Sequence, residues 1–301
     1  MKVVVTGANS AVGQATLRFG SSGGAAPHAI VAAVRSERAA EDLRARADGS
    51  AVVRVSYDDS PGLRKLLEGA GAVFHLPGIL FERPDSTYEQ ANVASTRAVI
   101  EAAKQSHVHK IVLVSAIGAD ERSRNRYYRT KGEAEALVRA SGLAYTILRA
   151  PLLLGPNTAG AAALRRNLAA GKAKLIGGGR NLQQPLCVDD LARAAITAAT
   201  QIVASNATLD VGGPVCLSDR EIVERAARLS GREVRISSIP KGLLAFGLTI
   251  RQRIAKGGTG FSRDVLEVIT ADTRIDPGPA VKEIGIQLTG IDEMIRASLN
   301  E

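Results

Sequence analysis

The 301-residue chain is long enough for a large α/β core with an appended lobe, and 45% hydrophobic and 23% charged residues are ordinary for a globular protein. The net charge of +9 does not indicate a nucleic-acid partner, because 39 basic residues are scattered among 30 acidic ones and no basic run is interleaved with aromatics. No apolar run approaches the roughly 18 residues of a membrane span, and the apolar stretch at residue 3 is too short for a secretory leader. Two cysteines, Cys187 and Cys216, form neither a disulfide framework nor a metal cluster, which favours a cytoplasmic location.

In the first half of the chain, apolar strand-like runs alternate with helix-like segments. The predicted strands cover residues 2–6, 29–34, 51–55, 72–76, 110–115 and 144–150. The predicted helices between and after them cover residues 12–19, 38–46, 61–69, 86–106 and 129–141. Right-handed crossovers between such strands build a parallel sheet with helices on both faces. The pattern therefore predicts an α/β, doubly wound (Rossmann) fold.

The regular alternation of predicted strands and helices ends after Gly155 and Pro156. Predicted helices follow at 159–171, 188–199, 219–230 and 290–299, with a short strand at 233–237. We expect a Rossmann domain over 1–155, to whose sheet 184–212 returns. The remaining segments, 156–183 and 213–301, are expected to form a smaller C-terminal α/β lobe that binds substrate.

The stretch TGANSAVG, Thr6 to Gly13, lies between the first predicted strand and the first predicted helix. Gly7 permits a tight turn, and Gly13 permits close packing of the helix. Free backbone N–H groups at the helix start suit a pyrophosphate. By itself this stretch could equally be an ordinary glycine turn after a strand.

Several further motifs occur in a fixed order along the chain. They are a strand ending in Arg35, VFHLPG (73–78), NVASTRAVIEAA (92–103), KIVLVSAIG (110–118), YYRTK (127–131), LRAPLLLGP (148–156) and VDDLARA (188–194). With the glycine loop, this order resembles the extended and atypical short-chain dehydrogenase/reductases over nearly the whole chain. VSAIGAD followed by YYRTKGEAE is most similar to the atypical branch. That branch includes the NADPH-binding subunit of respiratory complex I, nitrogen-regulator-like sensors and sugar-nucleotide epimerase/reductase relatives.

The resemblance implies a dinucleotide site, with some departures from the family pattern. Ser10 replaces the usual middle glycine, Ser56 replaces an aspartate after the third strand, and Pro77 replaces a small residue after the fourth. Adenine is expected against Ser56 and Tyr57. The expected cofactor contacts are Gly7, Asn9, Ser10, Ala11, Val12, Gly13, Arg35, Ser36, Ser56, Tyr57, Leu76, Pro77, Gly78, Lys131 and Pro151.

The end of the second strand bears on which dinucleotide is bound. NAD requires a carboxylate there for the ribose 2′-hydroxyl, whereas a 2′-phosphate requires a cation. The strand 29–34 is followed by Arg35 and Ser36, with no acid before Glu37. A guanidinium forks onto phosphate oxygens, so we predict NADP. The alternative is an ordinary solvated arginine at a strand end.

Tyr127 and Lys131 stand four residues apart, on one face of a predicted helix. An ammonium one turn away is expected to lower the pKa of the phenol. The resemblance implies that Tyr127 is the catalytic acid/base, that Lys131 tunes it and holds the nicotinamide ribose, and that Ser115 polarises the substrate oxygen. Tyr128 is a weaker rival, and a Tyr and a Lys on a solvated helix face are the alternative. The four histidines offer no metal constellation, so no metal is predicted.

The predicted function is therefore NADP-dependent hydride transfer to or from a carbonyl/alcohol pair of a sugar nucleotide or another small metabolite, as oxidoreductase or epimerase. A non-catalytic NADPH-binding sensor or assembly subunit is the alternative. The segment 240–258 has four basic residues and no acidic one around apolar positions. It is predicted either to cover the pocket or to lie as an amphipathic helix on an anionic membrane. The resemblance also implies a homodimer.

Overall fold

A computed structural model describes residues 1–22, 29–46, 50–201, 203–254 and 260–300. Within them, seven strands form one parallel sheet in the order β11-β6-β5-β4-β1-β2-β3. These strands are β1 (Lys2–Thr6), β2 (Ala29–Val34), β3 (Ala51–Arg54), β4 (Ala70–His75), β5 (Lys110–Ala116), β6 (Ala144–Ala150) and β11 (Ala207–Asp210). This sheet and its flanking helices confirm the predicted Rossmann-like α/β fold.

Helices cover the sheet on both faces. They are α1 (Ala11–Ser22), α2 (Glu37–Arg44), α3 (Ser60–Leu67), α4 (Ser95–Gln105), α5 (Arg126–Arg139) and α7 (Val188–Thr200). One buried apolar cluster joins the sheet to α1, α2 and α7, and a second joins it to α3, α4 and α5. Since both faces are buried, the strands are apolar runs rather than alternating ones, as in Val3 to Val5.

The smaller lobe is built around a third apolar cluster, which joins α6 (Ala159–Ala169), α8 (Asp219–Ser230) and α12 (Ile291–Leu299). Helices α9 (Lys241–Ile254) and α10 (Arg263–Ile269) contact each other, whereas α11 (Gly278–Ile284) packs into the first cluster, against α7 and β11. Short strands pair in twos: β7 (Leu153–Leu154) with β10 (Leu186–Cys187), β9 (Leu182–Gln183) with β12 (Leu217–Ser218), and β8 (Lys172–Ile176) with β13 (Arg235–Ile239). None of the described helices has both the length and the apolar character to cross a bilayer.

The helix predicted over 86–106 differs from the observed one. Its beginning, Glu89–Ala94, is a π-helix that runs into α4. The hydroxyls of Ser95 and Thr96 donate to the carbonyls of Ala91 and Asn92, four residues earlier. Such π-segments are often found at functional sites. Here the segment positions Asn92, which is buried.

Candidate functional site

The first loop of the site connects β1 to α1 and carries two crowded glycines. Gly7 has φ +69°, and a Cβ added there would lie 2.6 Å from the carbonyl oxygen of Leu76. A Cβ added to Gly13 would lie 2.5 Å from the carbonyl oxygen of Ala8. Both positions therefore favour glycine, and the loop lies directly against the end of β4. Asn9 is exposed on the same loop.

Ser10, where the resemblance implies a glycine, caps helix α1. Its hydroxyl oxygen accepts from the N–H of Gly13 at 3.1 Å, and its carbonyl accepts from the N–H of Gln14 at 2.9 Å. The serine hydroxyl is thus the acceptor for one N–H group of the first helical turn, that of Gly13. Ala11 and Val12 precede the first intrahelical donor, so their N–H groups form the positive end of the helix dipole.

The end of β2 is a basic edge. Arg35 is exposed, and the side chain of Ser36 caps α2. The carboxylate of Glu37 pairs with Arg44 at 2.9 Å and with Arg54 at 3.7 Å. The hydrogen bond from Arg44 is the main cause of a lowered pKa of Glu37. The acid nearest Arg35 in sequence is therefore paired with two guanidinium groups.

The residues after β3 lie next to this edge. Ser56 is exposed, whereas Tyr57 is half-buried, and its ring meets the ring of His75 edge-on at 6.0 Å. Burial raises the pKa of Tyr57, while Thr6 and the charge of Arg35 oppose the rise. Tyr57 therefore lies against His75 at the buried end of β4.

A buried chain of hydrogen bonds connects the end of β1 to the π-segment. Nδ1 of His75 lies 2.6 Å from Oγ1 of Thr6, and Nε2 lies 3.1 Å from Oγ1 of Thr96. Because the Thr96 hydroxyl donates to the carbonyl of Asn92 at 2.6 Å, we assign the Nε2–H tautomer, with Thr6 donating to Nδ1. Burial, together with the charge of Lys131, lowers the pKa of His75 to about 3, so the imidazole is neutral.

Lys131 ties together the ends of two strands. Its Nζ donates to the carbonyl of Pro77 at 2.7 Å and to that of Val114 at 3.2 Å. Burial lowers the pKa of Lys131 to about 8, and the charge of Glu135 opposes this shift. A Cβ added at Gly78 would lie 3.0 Å from Nζ, so the lysine reaches the loop after β4 at Gly78.

Three buried side-chain oxygens have no hydrogen-bond partner among the described residues. They are Oγ of Ser86 in the loop 78–88, Oγ of Ser115 at the end of β5, and Oδ1 of Asn92. Asn92 donates from Nδ2 to Thr130 at 2.9 Å, and its Oδ1 would lie 3.2 Å from a Cβ at Gly78. Buried polar atoms without partners are costly, and a polar ligand group at Gly78 is a physical reason for the unpartnered oxygen of Asn92.

Tyr127 lies at the start of α5 within a cluster of aromatic rings. Its ring packs edge-on against Tyr88 at 5.7 Å and against Tyr128 at 5.6 Å. Burial raises the pKa of the Tyr127 phenol, and Tyr128 and Tyr88 add to the rise. This direction is opposite to the one predicted from the spacing to Lys131, because the spacing does not report burial. The Lys131 ammonium instead bonds to main-chain carbonyls.

The loop 78–88 is fastened to the lobe beside Tyr127. Arg126 forms an ion pair with Glu82, and its N–H donates to the carboxylate of Asp264 at 3.0 Å. Glu82 also accepts from the N–H of Tyr88, and its carbonyl accepts from Gly260, both at 2.9 Å. The loop after β4, the start of α5 and helix α10 therefore meet at one place.

The remaining predicted residues lie at the same edge of the sheet or on the lobe. Leu76 and Pro77 follow β4, and half-buried Pro151 follows β6 directly. Because the strands are parallel, the ends of β1, β4, β5 and β6 meet at one edge. In the segment 240–258, α9 accounts for Lys241–Ile254, and residues 255–258 lie outside the described part of the chain.

Sequence reasoning missed two residues of this site, Asn92 and Glu135. Glu135 is fully buried and accepts from Arg149 at 2.8 and 2.6 Å and from Arg139 at 3.1 Å. Its position four residues after Lys131, on the same helix face, was the available signal. Asn92 could have been suspected as a buried polar residue beside apolar neighbours in its segment.

Comparisons with known proteins show a similarity to NAD(P)H-binding proteins. A family model described as NAD(P)H-binding matches residues 7–200. The mitochondrial NADH dehydrogenase [ubiquinone] 1 alpha subcomplex subunit 9 of Arabidopsis thaliana is 29% identical over 199 residues, covering 63% of this chain and 48% of that protein. Ceramide reductase of Caulobacter vibrioides is 28% identical over 154 residues, covering 51% and 47%. The chain thus matches about half the length of each of these two relatives.

A solved structure shows the same fold. NADPH-dependent quinone oxidoreductase QOR2 of Escherichia coli, in complex with NADPH, superposes with a TM-score of 0.74 at 21% identity. The match covers 99% of this chain and 100% of that one. The predicted resemblance to NAD(P)-binding proteins is thereby confirmed, including the likeness to a respiratory NADH dehydrogenase subunit.

Proposed function

This chain belongs to the NAD(P)H-binding family, and we propose that it is an NADP-dependent oxidoreductase that transfers hydride to a carbonyl. One observation carries this proposal. Oδ1 of Asn92 and Nζ of Lys131 both border Gly78, and Oγ of Ser115, at the end of β5, is buried without a described partner next to Val114, whose carbonyl accepts from Lys131. A substrate carbonyl could accept from the Ser115 hydroxyl, whereas Oδ1 of Asn92, an acceptor, would need a donor such as a hydroxyl of the bound cofactor or of an alcohol.

The residues present fit a dinucleotide phosphate. The main chain at Gly7 and Gly13 is too crowded for side chains, and α1 begins with the free N–H groups of Ala11 and Val12. These four residues would hold the pyrophosphate. The adjacent edge supports NADP over NAD, because Arg35 is exposed and Glu37 is occupied by two arginines. Ser36, Ser56 and Tyr57 would border the adenosine end.

The bound nicotinamide supplies the hydride, and the side chains of this protein supply the proton and the orientation. The Tyr127 phenol, like an ordinary phenol, is protonated at neutral pH and would act as the general acid that protonates the substrate oxygen. Burial raises its pKa, which makes it a weaker acid than a phenol in water. Ser115 would donate to the substrate oxygen, and Lys131 would hold the nicotinamide ribose. In an epimerase the same groups would first take the proton of an alcohol and then return it, with the hydride delivered back to the opposite face of the same carbon; a sugar nucleotide is one such substrate class.

A non-catalytic NADPH-binding role is the second candidate. The observation that favours it is the pKa of the Tyr127 phenol, which is raised rather than lowered. The ammonium of Lys131 bonds to the main-chain carbonyls of Pro77 and Val114. The likeness to a respiratory subunit supports an assembly role for the same site. The two candidates share the cofactor and differ in turnover.

Fluorescence titration with NADPH and NADH tests the cofactor half of the proposal. We expect tighter binding of NADPH, and a loss of about tenfold or more in Arg35→Ala, as for a charge-assisted hydrogen bond. NADH affinity should not change in that variant. Arg232→Ala, which removes an exposed arginine of the lobe, is the matched control. Equal affinity for both nucleotides, unaffected by Arg35→Ala, would contradict NADP selectivity.

A screen of carbonyl substrates with NADPH tests the chemical half. Tyr127→Phe should keep NADPH affinity and lower kcat by about 10²- to 10⁴-fold, the usual contribution of a general acid. Tyr128→Phe is the matched control, one position along the same helix. Tight NADPH binding without turnover on any carbonyl would favour the non-catalytic candidate.

A further inference from the structure

The cap of helix α5 uses both ends of one side-chain amide. Asn125 is buried, and its Oδ1 accepts from the N–H groups of Tyr127 at 3.1 Å and Tyr128 at 3.4 Å. Its Nδ2 donates to the carbonyl of Asp264 at 3.0 Å and to the carboxylate of Glu267 at 3.1 Å. Because two donors face one end of the amide and two acceptors face the other, the orientation of the amide is fixed. Asn125 therefore joins the first turn of α5 to α10.

A helix cap by itself does not require an amide. Helices α2, α3 and α6 are capped by Ser36, Asp59 and Thr158, whose side chains accept from N–H groups of their own helices. Serine, aspartate and threonine thus provide the acceptor that a cap needs. Asparagine adds a donor group to the same side chain, and Asn125 uses it to bond to α10. The presence of asparagine at this cap is therefore explained by the contact with α10.

Helix α10 makes a second contact with the same turn. The N–H of Arg126, the first residue of α5, donates to Oδ1 of Asp264 at 3.0 Å. The first three N–H groups of α5, which have no partner within the helix, are thereby all bonded, and one of them is bonded directly to α10. Three hydrogen bonds thus hold this turn against a helix that lies 138 to 142 positions away in the sequence.

The turn that α10 holds carries Tyr127. Tyr127 is the second residue of α5, whereas Ser115 lies at the end of β5 and is placed by the central sheet. The distance between these two side chains therefore depends on how α5 begins. Lys131, one turn further along α5, is held separately by the carbonyls of Pro77 and Val114. A change at Asn125 is thus expected to move Tyr127 more than Lys131.

We propose that Asn125 is a positioning residue, which together with Asp264 fixes the Tyr127 hydroxyl relative to Ser115. The proposal rests on the proposed function in taking Tyr127 as the general acid. Asn125 acts through the main chain of α5 rather than on the reacting atoms. A helix of the C-terminal part of the chain, α10, thereby sets the geometry of a reacting group in the Rossmann domain.

The variant Asn125→Asp separates the cap from the contact with α10. The aspartate keeps an acceptor for the N–H groups of α5, but it loses the donors and places a carboxylate against the carbonyl of Asp264 and the carboxylate of Glu267. Asn181→Asp is the matched control. Because Nδ2 of Asn181 donates to the carboxylate of Asp219 at 2.9 Å, the same substitution removes the same kind of bond at the start of α8.

Fluorine NMR of the protein labelled with 3-fluorotyrosine reports the position of Tyr127 without any turnover. The chain has five tyrosines, and Tyr127→Phe identifies the signal of Tyr127. We expect this signal to shift in Asn125→Asp and to stay in place in Asn181→Asp, while the signal of Tyr145, at the start of β6, stays in place in both. The double variant Asn125→Asp/Glu267→Gln should restore part of the shift, because the glutamine amide donates to the new carboxylate.

Kinetics on a carbonyl substrate test the consequence for the reaction. In Asn125→Asp, kcat should fall by about ten- to a hundredfold, as for a misplaced reacting group, with the KM for NADPH unchanged. Circular dichroism establishes that the variants fold. If Asn125→Asp does not fold, Asn125→Ser, which keeps a capping oxygen without the amide donors or a charge, takes its place.

A Tyr127 signal that stays in place in the folded variant overturns the proposal, as does an equal shift in Asn181→Asp. A kcat equal to that of the wild-type protein also overturns it. Absence of turnover by the wild-type protein would contradict the proposed function, whereas the NMR signal still decides whether Asn125 positions Tyr127.

Discussion

The edge of the sheet where we propose that the cofactor binds, here called the cofactor edge, and the face formed by the loop 78–88, α9 and α10 are built from different interactions. At the cofactor edge, main-chain atoms meet at Gly7 and Gly13, and buried polar groups such as His75 and Lys131 hold the strand ends. The other face is held by partly exposed ion pairs and presents apolar side chains to the surface. The first region therefore depends on the backbone and on burial. The second depends on side chains that can change at little cost to the fold.

The largest difference between the two regions is expected in acid. The pKa of His75 falls from 6.5 to about 3, so between these values the unfolded chain binds a proton that the folded protein does not. Stability therefore decreases as the pH falls, by about 2 kcal/mol from pH 7 to pH 5 for this group. Urea unfolding at the two pH values measures the decrease, and His75→Gln should reduce it by that amount.

The exposed His109 provides the control for this effect. His109→Gln should keep the acid dependence of the parent protein. If His75→Gln kept it as well, the buried hydrogen bonds to Thr6 and Thr96 would not be the source of the acid sensitivity.

The second largest effect is expected in base. Burial lowers the pKa of Lys131 from 10.5 to about 8, so the unfolded chain binds more protons between these values, and stability rises with pH. From pH 8 to pH 10 the rise is about 2 kcal/mol. Lys131→Met should abolish it in urea unfolding. Lys174→Met, at an exposed position of the lobe, should not, and an unchanged rise in Lys131→Met would show that this ammonium is not desolvated.

The same contrast explains what the sequence could predict of the fold. The bounds of β1, β2 and β6 agree with their apolar runs, since each run is delimited by local turn signals. Helices α10 and α11 were not predicted, because each has only seven residues, too few to show the 3.6-residue repeat of apolar positions. The stability of such short helices comes from packing on distant elements. The π-segment at 89–94 was also missed, because its geometry depends on contacts of Asn92 and Thr96 with other parts of the chain.

At the site, residues with a local signal were assigned and residues with a distant partner were not. The glycine loop and the spacing of Tyr127 and Lys131 are visible within a few positions of sequence. Asn92 meets Thr130, and Glu135 meets Arg149, across 38 and 14 positions. The sequence could not predict that the pKa of Tyr127 is raised either, since its burial among Tyr88 and Tyr128 depends on the folded arrangement.

The next difference between the two regions is expected in stability when one methyl group is added to a glycine in each region. In Gly13→Ala the added Cβ meets the backbone of Ala8, which cannot move aside as a side chain would, so we expect a loss of about 1–3 kcal/mol of unfolding free energy. NADPH affinity should fall in the same variant. Gly247→Ala, on α9, has no atom within 4 Å of its added Cβ and should be neutral or stabilising by about 0.5–1 kcal/mol. Equal effects of the two substitutions on the unfolding free energy would show that the backbone is no more crowded at the cofactor edge than on α9.

The smallest effect on stability is expected where the two regions join. Arg126 is 48% exposed, whereas its partner Glu82 is 12% exposed, so Arg126→Gln should cost under about 1 kcal/mol, as should Arg220→Gln at the surface pair with Glu224. Only Arg126→Gln removes the ion pair that ties the loop 78–88 to the start of α5; the main-chain bond from Gly260 to Glu82 remains. Chymotrypsin should therefore cut after Phe81, which is exposed on this loop, faster in Arg126→Gln than in Arg220→Gln, with NADPH affinity unchanged in both. A loss of NADPH affinity in Arg126→Gln would mean that the face beside Tyr127 also supports the cofactor edge, and that the two regions are coupled rather than separate.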